Sequence, residues 1–245
     1  MGIMTQPANP AAPVPDPSAD TAAVRAATDR LLAAVEQLDD ATASKPSLLP
    51  GWTRGHVLAH LARNSDALLN VLAARPMYAS AESRDADIER DAHRSVAEHL
   101  LDLRESAARL DGAFGAQRDP DWERTVELRN GVTDHAYSLP FRRWIEVELH
   151  HVDLGIGYAM DDLPATFIER ELANMARRFS GHPDLAVPVE LRTEDGVTWR
   201  TGAPDGSEKT VVVVGSPTAL VAWLTGRSTG SGLSARDPLP DLPAL

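Results

Sequence analysis

The sequence predicts an α+β protein: a four-helix bundle followed by a small α/β domain. Three observations carry this. Four long stretches between about residues 18 and 154 repeat apolar side chains every three or four positions, the period of a helix with one buried face. A stretch rich in turn residues separates the third from the fourth, as a crossover connection in a bundle requires. Beyond Asp162-Leu163-Pro164 the pattern changes to short β-like runs divided by glycine turns.

Residues 1–17 hold Pro10, Pro13, Pro15 and Pro17 among small residues, too little apolar surface to order a chain, so a disordered tail is expected there. The first helix is expected from about Ser18 to Asp40, with Val24, Ala27, Leu31, Val35 and Leu38 on one face. Pro50-Gly51 is a turn, and Thr53 is a suitable cap for a second helix over Arg54 to Ala74, with Val57, Leu61, Leu68 and Leu72 inward and Pro76 beyond its end. A third helix is predicted over Asp85 to Phe114, carried by Ile88, Val96, Leu100, Leu103, Ala107 and Leu110. Asp119-Pro120 and Asn130-Gly131 mark turns around a short strand at Thr125 to Leu128. The fourth helix starts near Pro140 and runs to Leu154, stopping at Gly155, which gives a bundle over residues 18–160.

The second domain is placed at residues 165–238. It is expected to hold a helix from Ala165 to Phe179, then strands at Val187 to Arg192, Val197 to Thr201 and Thr210 to Val214, with turns at Asp195-Gly196 and Asp205-Gly206. The first two strands read as a hairpin. Pro217 to Leu224 reads as a helix with proline in its first turn, and the proline-rich end as a loose tail.

Composition narrows the function. The net charge of −12 comes without any basic stripe, which argues against nucleic acid as a partner, because phosphate contacts need clustered lysine and arginine. No run of 18 apolar residues occurs and no basic-then-apolar leader opens the chain, so neither membrane nor secretion is expected, and a cytoplasmic location is. Cysteine is absent, so a thiol needed for chemistry has to arrive with a cofactor.

Glu146 and His150 stand four apart on the fourth predicted helix, one turn from each other and on one side. His60 lies on the second predicted helix, within reach from a neighbouring helix. Two imidazole nitrogens and a carboxylate oxygen suit zinc, and bundle cores are common places for such sites. Spacing alone does not choose this set. Pairs four apart are ordinary surface partners, His56 precedes His60 by one turn, and Glu148 and His151 form a rival pair.

Two stretches carry a resemblance. Leu48-Leu49-Pro50-Gly51-Trp52-Thr53-Arg54-Gly55-His56-Val57-Leu58-Ala59-His60-Leu61-Ala62-Arg63-Asn64 is similar to the signature of mycothiol-dependent maleylpyruvate isomerases, and so is Arg143-x-x-Glu146-x-x-x-His150-x-x-Asp153-Leu154-Gly155. Pro76-Met77-Tyr78 with Ser80, Glu82 and Arg84 fits the same pattern. The likeness spans nearly the whole chain after the first 18 or so residues, and that family consists of DinB-like metalloenzyme bundles with a small C-terminal α/β domain.

The resemblance implies zinc held by His60, Glu146 and His150, with His56 either structural or supporting a ligand from behind, and Asp153 either orienting a ligand imidazole or serving as a cap or solvated residue. Leu224-Thr225-Gly226-Arg227-Ser228 resembles the family segment that brings an arginine to the active site, which makes Arg227 the expected catalytic residue, gripping a substrate carboxylate; its bland alternative is a helix cap. The implied activity is zinc- and mycothiol-dependent cis–trans isomerisation of maleylpyruvate to fumarylpyruvate in gentisate degradation. The rivals are a mycothiol S-transferase acting on electrophiles and a non-catalytic, metal-stabilised binder of small molecules. Small-molecule substrate and mycothiol are the expected partners, and the oligomeric state is open, a monomer being compatible with the sequence.

Overall fold

The computed structural model describes residues 9–10, 14–204 and 209–244. The described residues form two compact units: those within 15–159, and those within 160–244 together with residues 9, 10 and 14.

The first unit is the helical one. Helix α1 (Pro17–Val35) is opened by the Asp16 carboxylate, which accepts from the backbone N–H groups of Ser18 and Ala19. It ends at Val35, short of the expected Asp40. The acidic run that follows opens a separate short helix, α2 (Asp40–Ala43), capped by Asp39. Helix α3 (Arg54–Leu72) begins where Thr53 predicts.

The third expected helix is two. Helix α4 (Ala81–Asp91) and helix α5 (Val96–Gly115) are separated at Ser95, whose side chain caps α5 while Glu98 reaches back to the Ser95 N–H at 2.8 Å. The apolar period ran through the break and hid it, although Ser95-x-x-Glu98 is a capping-box pattern. Buried Asp91 fixes the junction by accepting from Arg63 and Arg90 and forming an ion pair with Arg94.

The crossover holds a short helix α6 (Asp119–Trp122) and an antiparallel hairpin of β1 (Thr125–Glu127) and β2 (Thr133–His135); α6 and β2 were not foreseen. Helix α7 (Ser138–Asp153) closes the unit. Helix α1 packs on α7 and α5, and α3 packs on α5 and α7. Leu31, Val35, Val57, Leu61, Leu103, Leu139 and Val147 are buried between them, as an amphipathic bundle requires. Gly55 lets α3 approach the end of α4 closely: a Cβ there would lie 2.1 Å from the Ala92 carbonyl oxygen.

The second unit packs helix α8 (Ala165–Arg178) and a four-stranded sheet. Strands β3 (Pro188–Thr193) and β4 (Thr198–Gly202) form the expected antiparallel hairpin, and β5 (Val211–Gly215) lies parallel to β3 on its other side. Helix α9 (Pro217–Leu224), capped by Ser216, makes the crossover to β6 (Leu233–Ala235), an unforeseen strand antiparallel to β5. The sheet order is β4-β3-β5-β6.

Asn9 pairs its side chain with both backbone groups of Arg200 on β4; residues 1–8 and 11–13 of the expected tail, and the turn at Asp205-Gly206, lie outside the described residues. Leu239 packs against Gly230, so the proline-rich end is in contact with the unit at that point. No helix among the described residues is long and apolar enough to cross a membrane.

Candidate metal centre

The site begins with the cap of α3. The Thr53 hydroxyl accepts from the His56 backbone N–H, and the His56 ring answers by accepting from the Thr53 N–H at 3.2 Å through Nδ1. The far nitrogen, Nε2, lies 3.0 Å from Glu89. Both nitrogens of His56 are therefore engaged, Nδ1 in the cap of α3 and Nε2 with Glu89 on α4. His60, one turn on, faces the interior with its ring 5.5 Å from that of Trp52.

Helix α7 supplies the opposing groups, and buried Arg143 holds it against α3. Its Nη1 donates to the Leu61 carbonyl and to the Asn64 side chain, each at 2.8 Å. Arg143 stands three residues before Glu146, a spacing that allows pairing along the helix, but its hydrogen bonds run across to α3. Burial lowers its pKa to about 10, so it stays charged at neutral pH.

Three candidate ligand atoms converge across this seam. Glu146 Oε2 lies 2.9 Å from His60 Nε2 and 3.3 Å from His150 Nε2, and the two imidazole rings meet edge to face at 4.7 Å. All three residues offer a ligand atom within 4.8 Å of the others, and among the described residues no other group of histidine, aspartate and glutamate does so.

Electrostatics favour a cation. Burial alone would push the Glu146 carboxyl up, but hydrogen bonds from His150 and His60 and the charges of those rings outweigh it and hold it well below the usual range. Burial lowers the pKa of His60. Burial also acts to lower that of His150, but hydrogen bonds to Asp153 and Glu146 override it and raise the value. An ionised carboxylate facing one buried and one half-buried imidazole is a donor set of the type that binds zinc, so the residues fit a divalent ion. Asp153 Oδ2 stands 2.8 Å from His150 Nδ1, leaving Nε2 to face Glu146.

The rival pair is directed elsewhere. Glu148 accepts from Arg30, Trp144 and Tyr158, and His151 stacks on Tyr158 with ring centroids 4.0 Å apart. Arg84 and Tyr78, from the segment that follows α3, border the site. Arg84 Nη2 approaches His60 Nδ1 at 3.3 Å, and the same guanidinium lies 5.8 Å from the centre of the Tyr78 ring.

Arg227 belongs to the other unit. It follows Gly226, whose φ of +75° ends α9 in the left-handed region that glycine favours. The Arg227 backbone N–H donates to the Ala222 carbonyl at 2.7 Å, so the main chain performs the capping, and Nη1 of the side chain donates to the Thr225 carbonyl.

Comparisons with known proteins bear on both units. Residues 24–155 match the family model described as the mycothiol maleylpyruvate isomerase N-terminal domain, and residues 162–244 match the one described as the MDMPI C-terminal domain. A crystal structure of the mycothiol-dependent maleylpyruvate isomerase superposes with a TM-score of 0.85 at 27% identity, covering 94% of this chain and 97% of that one. The structure of a histidine-to-alanine mutant of it superposes with a TM-score of 0.84 at the same identity and coverage. No curated protein sequence matches.

Proposed function

Because the chain belongs to the mycothiol maleylpyruvate isomerase family, we propose that it converts maleylpyruvate to fumarylpyruvate with mycothiol as the thiol cofactor. The observation that carries this reading is the convergence of His60, Glu146 and His150 on one point between α3 and α7.

In this reading those three side chains hold a divalent ion, with zinc favoured by the two-nitrogen, one-oxygen donor set. The ion, when bound, supplies the Lewis acidity that keeps a thiol in its nucleophilic thiolate form at neutral pH. Glu146 contributes the negative charge that retains the cation, and Asp153 keeps His150 turned so that Nε2 is presented.

A cis double bond conjugated to a carbonyl isomerises when a nucleophile adds to it and later leaves, the bond being single in between. The sequence has no cysteine, which agrees with a nucleophile brought from outside the chain. Arg227 is assigned here to bind a carboxylate of the substrate through its planar guanidinium, whose Nη1 also donates to the Thr225 carbonyl at the end of α9. The location proposed is the cytoplasm, where a low-molecular-weight thiol is kept reduced.

The test is fumarylpyruvate formation from maleylpyruvate with and without mycothiol, beside a panel of electrophiles. Mycothiol-dependent isomerisation is the expected result. Conjugation of the electrophiles without any fumarylpyruvate would replace this reading with thiol transfer.

A further inference from the structure

A groove of about 610 Å³ opens in the helical unit between the end of α3, the segment that follows it and the β1–β2 hairpin. Its apolar side includes Val71, Met77 and Leu128, which belong to the cluster of apolar side chains packed around Leu68 and Phe114, so this surface is preformed. Its polar side includes Glu127, Arg129 and Asn130. They sit at the tip of the hairpin, where Asn130 (φ +60°) and Gly131 (φ +72°) turn the chain through the left-handed region. Neither the Glu127 carboxylate nor the Arg129 guanidinium has a hydrogen-bond or ion-pair partner among the described residues. Unlike most charged pairs in this chain, they are left to solvent beside an apolar surface.

Tyr78 connects the groove to the candidate metal centre. It lines the groove, its ring faces the Arg84 guanidinium, and that guanidinium in turn approaches His60. A ligand lying in the groove is thus one layer of side chains from the triad.

Size and chemistry select the ligand. A pocket of this volume falls in the range for ligands of drug size, roughly 300–1,000 Å³, and a small keto-diacid would leave most of it empty. Sugar rings present hydroxyls that both donate and accept, and a C–H face that packs on apolar side chains. A guanidinium supplies donors, a carboxylate acceptors and an amide both, here beside an apolar surface.

From this groove we infer that the β1–β2 hairpin and the end of α3 form the subsite for the sugar body of the thiol cofactor, with Glu127 and Arg129 as its principal polar contacts. The inference rests on the mycothiol dependence proposed above. It explains how one thiol would be selected over simpler ones: the sulfur end is common to all, and only the sugar body reaches the hairpin.

The experiment uses the full chain loaded with zinc and S-methyl mycothiol, whose blocked sulfur cannot bind as a thiolate. Calorimetry compares the parent with Arg129→Ala and Glu127→Ala, both altered at exposed positions of the hairpin tip, with circular dichroism confirming the fold. Each substitution is expected to weaken binding by about tenfold or more, the cost of a charge-assisted hydrogen bond. Each is also expected to narrow the preference for mycothiol over N-acetylcysteine in KM. Equal affinity in the parent and both variants, or no binding to the parent, overturns the subsite. Hairpin-dependent binding without isomerisation of maleylpyruvate would instead uphold the subsite and remove the proposed reaction.

Discussion

His150 Nδ1 lies 2.8 Å from Asp153 Oδ2, one turn further along α7, and the Asp153 side chain is almost wholly buried. A neutral imidazole can offer only one nitrogen to an ion, and a carboxylate on the other nitrogen decides which. With Asp153 on Nδ1, His150 keeps Nε2 turned toward Glu146.

Replacing that carboxylate should loosen the site without emptying the triad. Asp153→Asn is expected to weaken divalent-ion affinity by roughly 10- to 100-fold, measured by competition with a chelator. Unchanged affinity would mean that the contact plays no part in ordering His150.

His56 and His60 differ by one turn and separate in role. His56→Ala removes half of the capping box at the start of α3 and should cost about 1 kcal/mol of stability in urea unfolding, with metal content retained. Loss of the ion from this variant would show that the capping assignment is incomplete.

Glu171 on α8 gives the second unit a pH signature. Burial pushes its carboxyl up from 4.5 to about 7, although Asn174 and the nearby arginines 178, 227 and 177 pull the other way. A folded-state pKa above the unfolded value favours folding while the group is protonated. The contribution is complete below about pH 4.5 and fades as pH rises through about 7, amounting to about 3 kcal/mol in all. Glu171→Gln, which stays neutral, should therefore be more stable than the parent at pH 8, with the difference shrinking toward pH 5. Parallel stability profiles for the two proteins across that window would contradict the assignment.

Gly55 allows the close approach of α3 to the end of α4. Gly55→Ala would place a methyl group 2.1 Å from the Ala92 carbonyl oxygen, a backbone atom that cannot swing aside. A loss of about 1–3 kcal/mol is expected in thermal or urea unfolding. A neutral substitution would show that the helices separate there at little cost.

Much of this architecture was legible where local signals and periodicity agree. Thr53 before Arg54 and Pro217 mark helix starts that the structure reproduces to the residue, because a cap oxygen or a ring-fixed φ acts locally. The α4–α5 break was missed because Ile88 and Val96 keep the helical period across it, and only the Ser95–Glu98 cap records it. Strand β6 is three residues long and pairs with β5 across the intervening α9, a non-local pairing that no short-range pattern reports.

At the candidate site, spacing offered His56 with His60 and Glu148 with His151 as equals. Three-dimensional partners separate them: Glu89 and Thr53 take up His56, while Arg30, Trp144 and Tyr158 take up Glu148. Arg143 stands three residues before Glu146, a spacing that suits i,i+3 pairing, whereas its length carries it across to α3.

The most direct test of the metal centre is the stoichiometry of bound divalent ion, measured by elemental analysis on the parent protein and on His60→Ala, both dialysed against the same zinc buffer. About one ion per chain in the parent and a large loss in the variant is the predicted result. A parent protein that retains no ion, or a variant that retains it as well as the parent, would contradict the assignment of the triad.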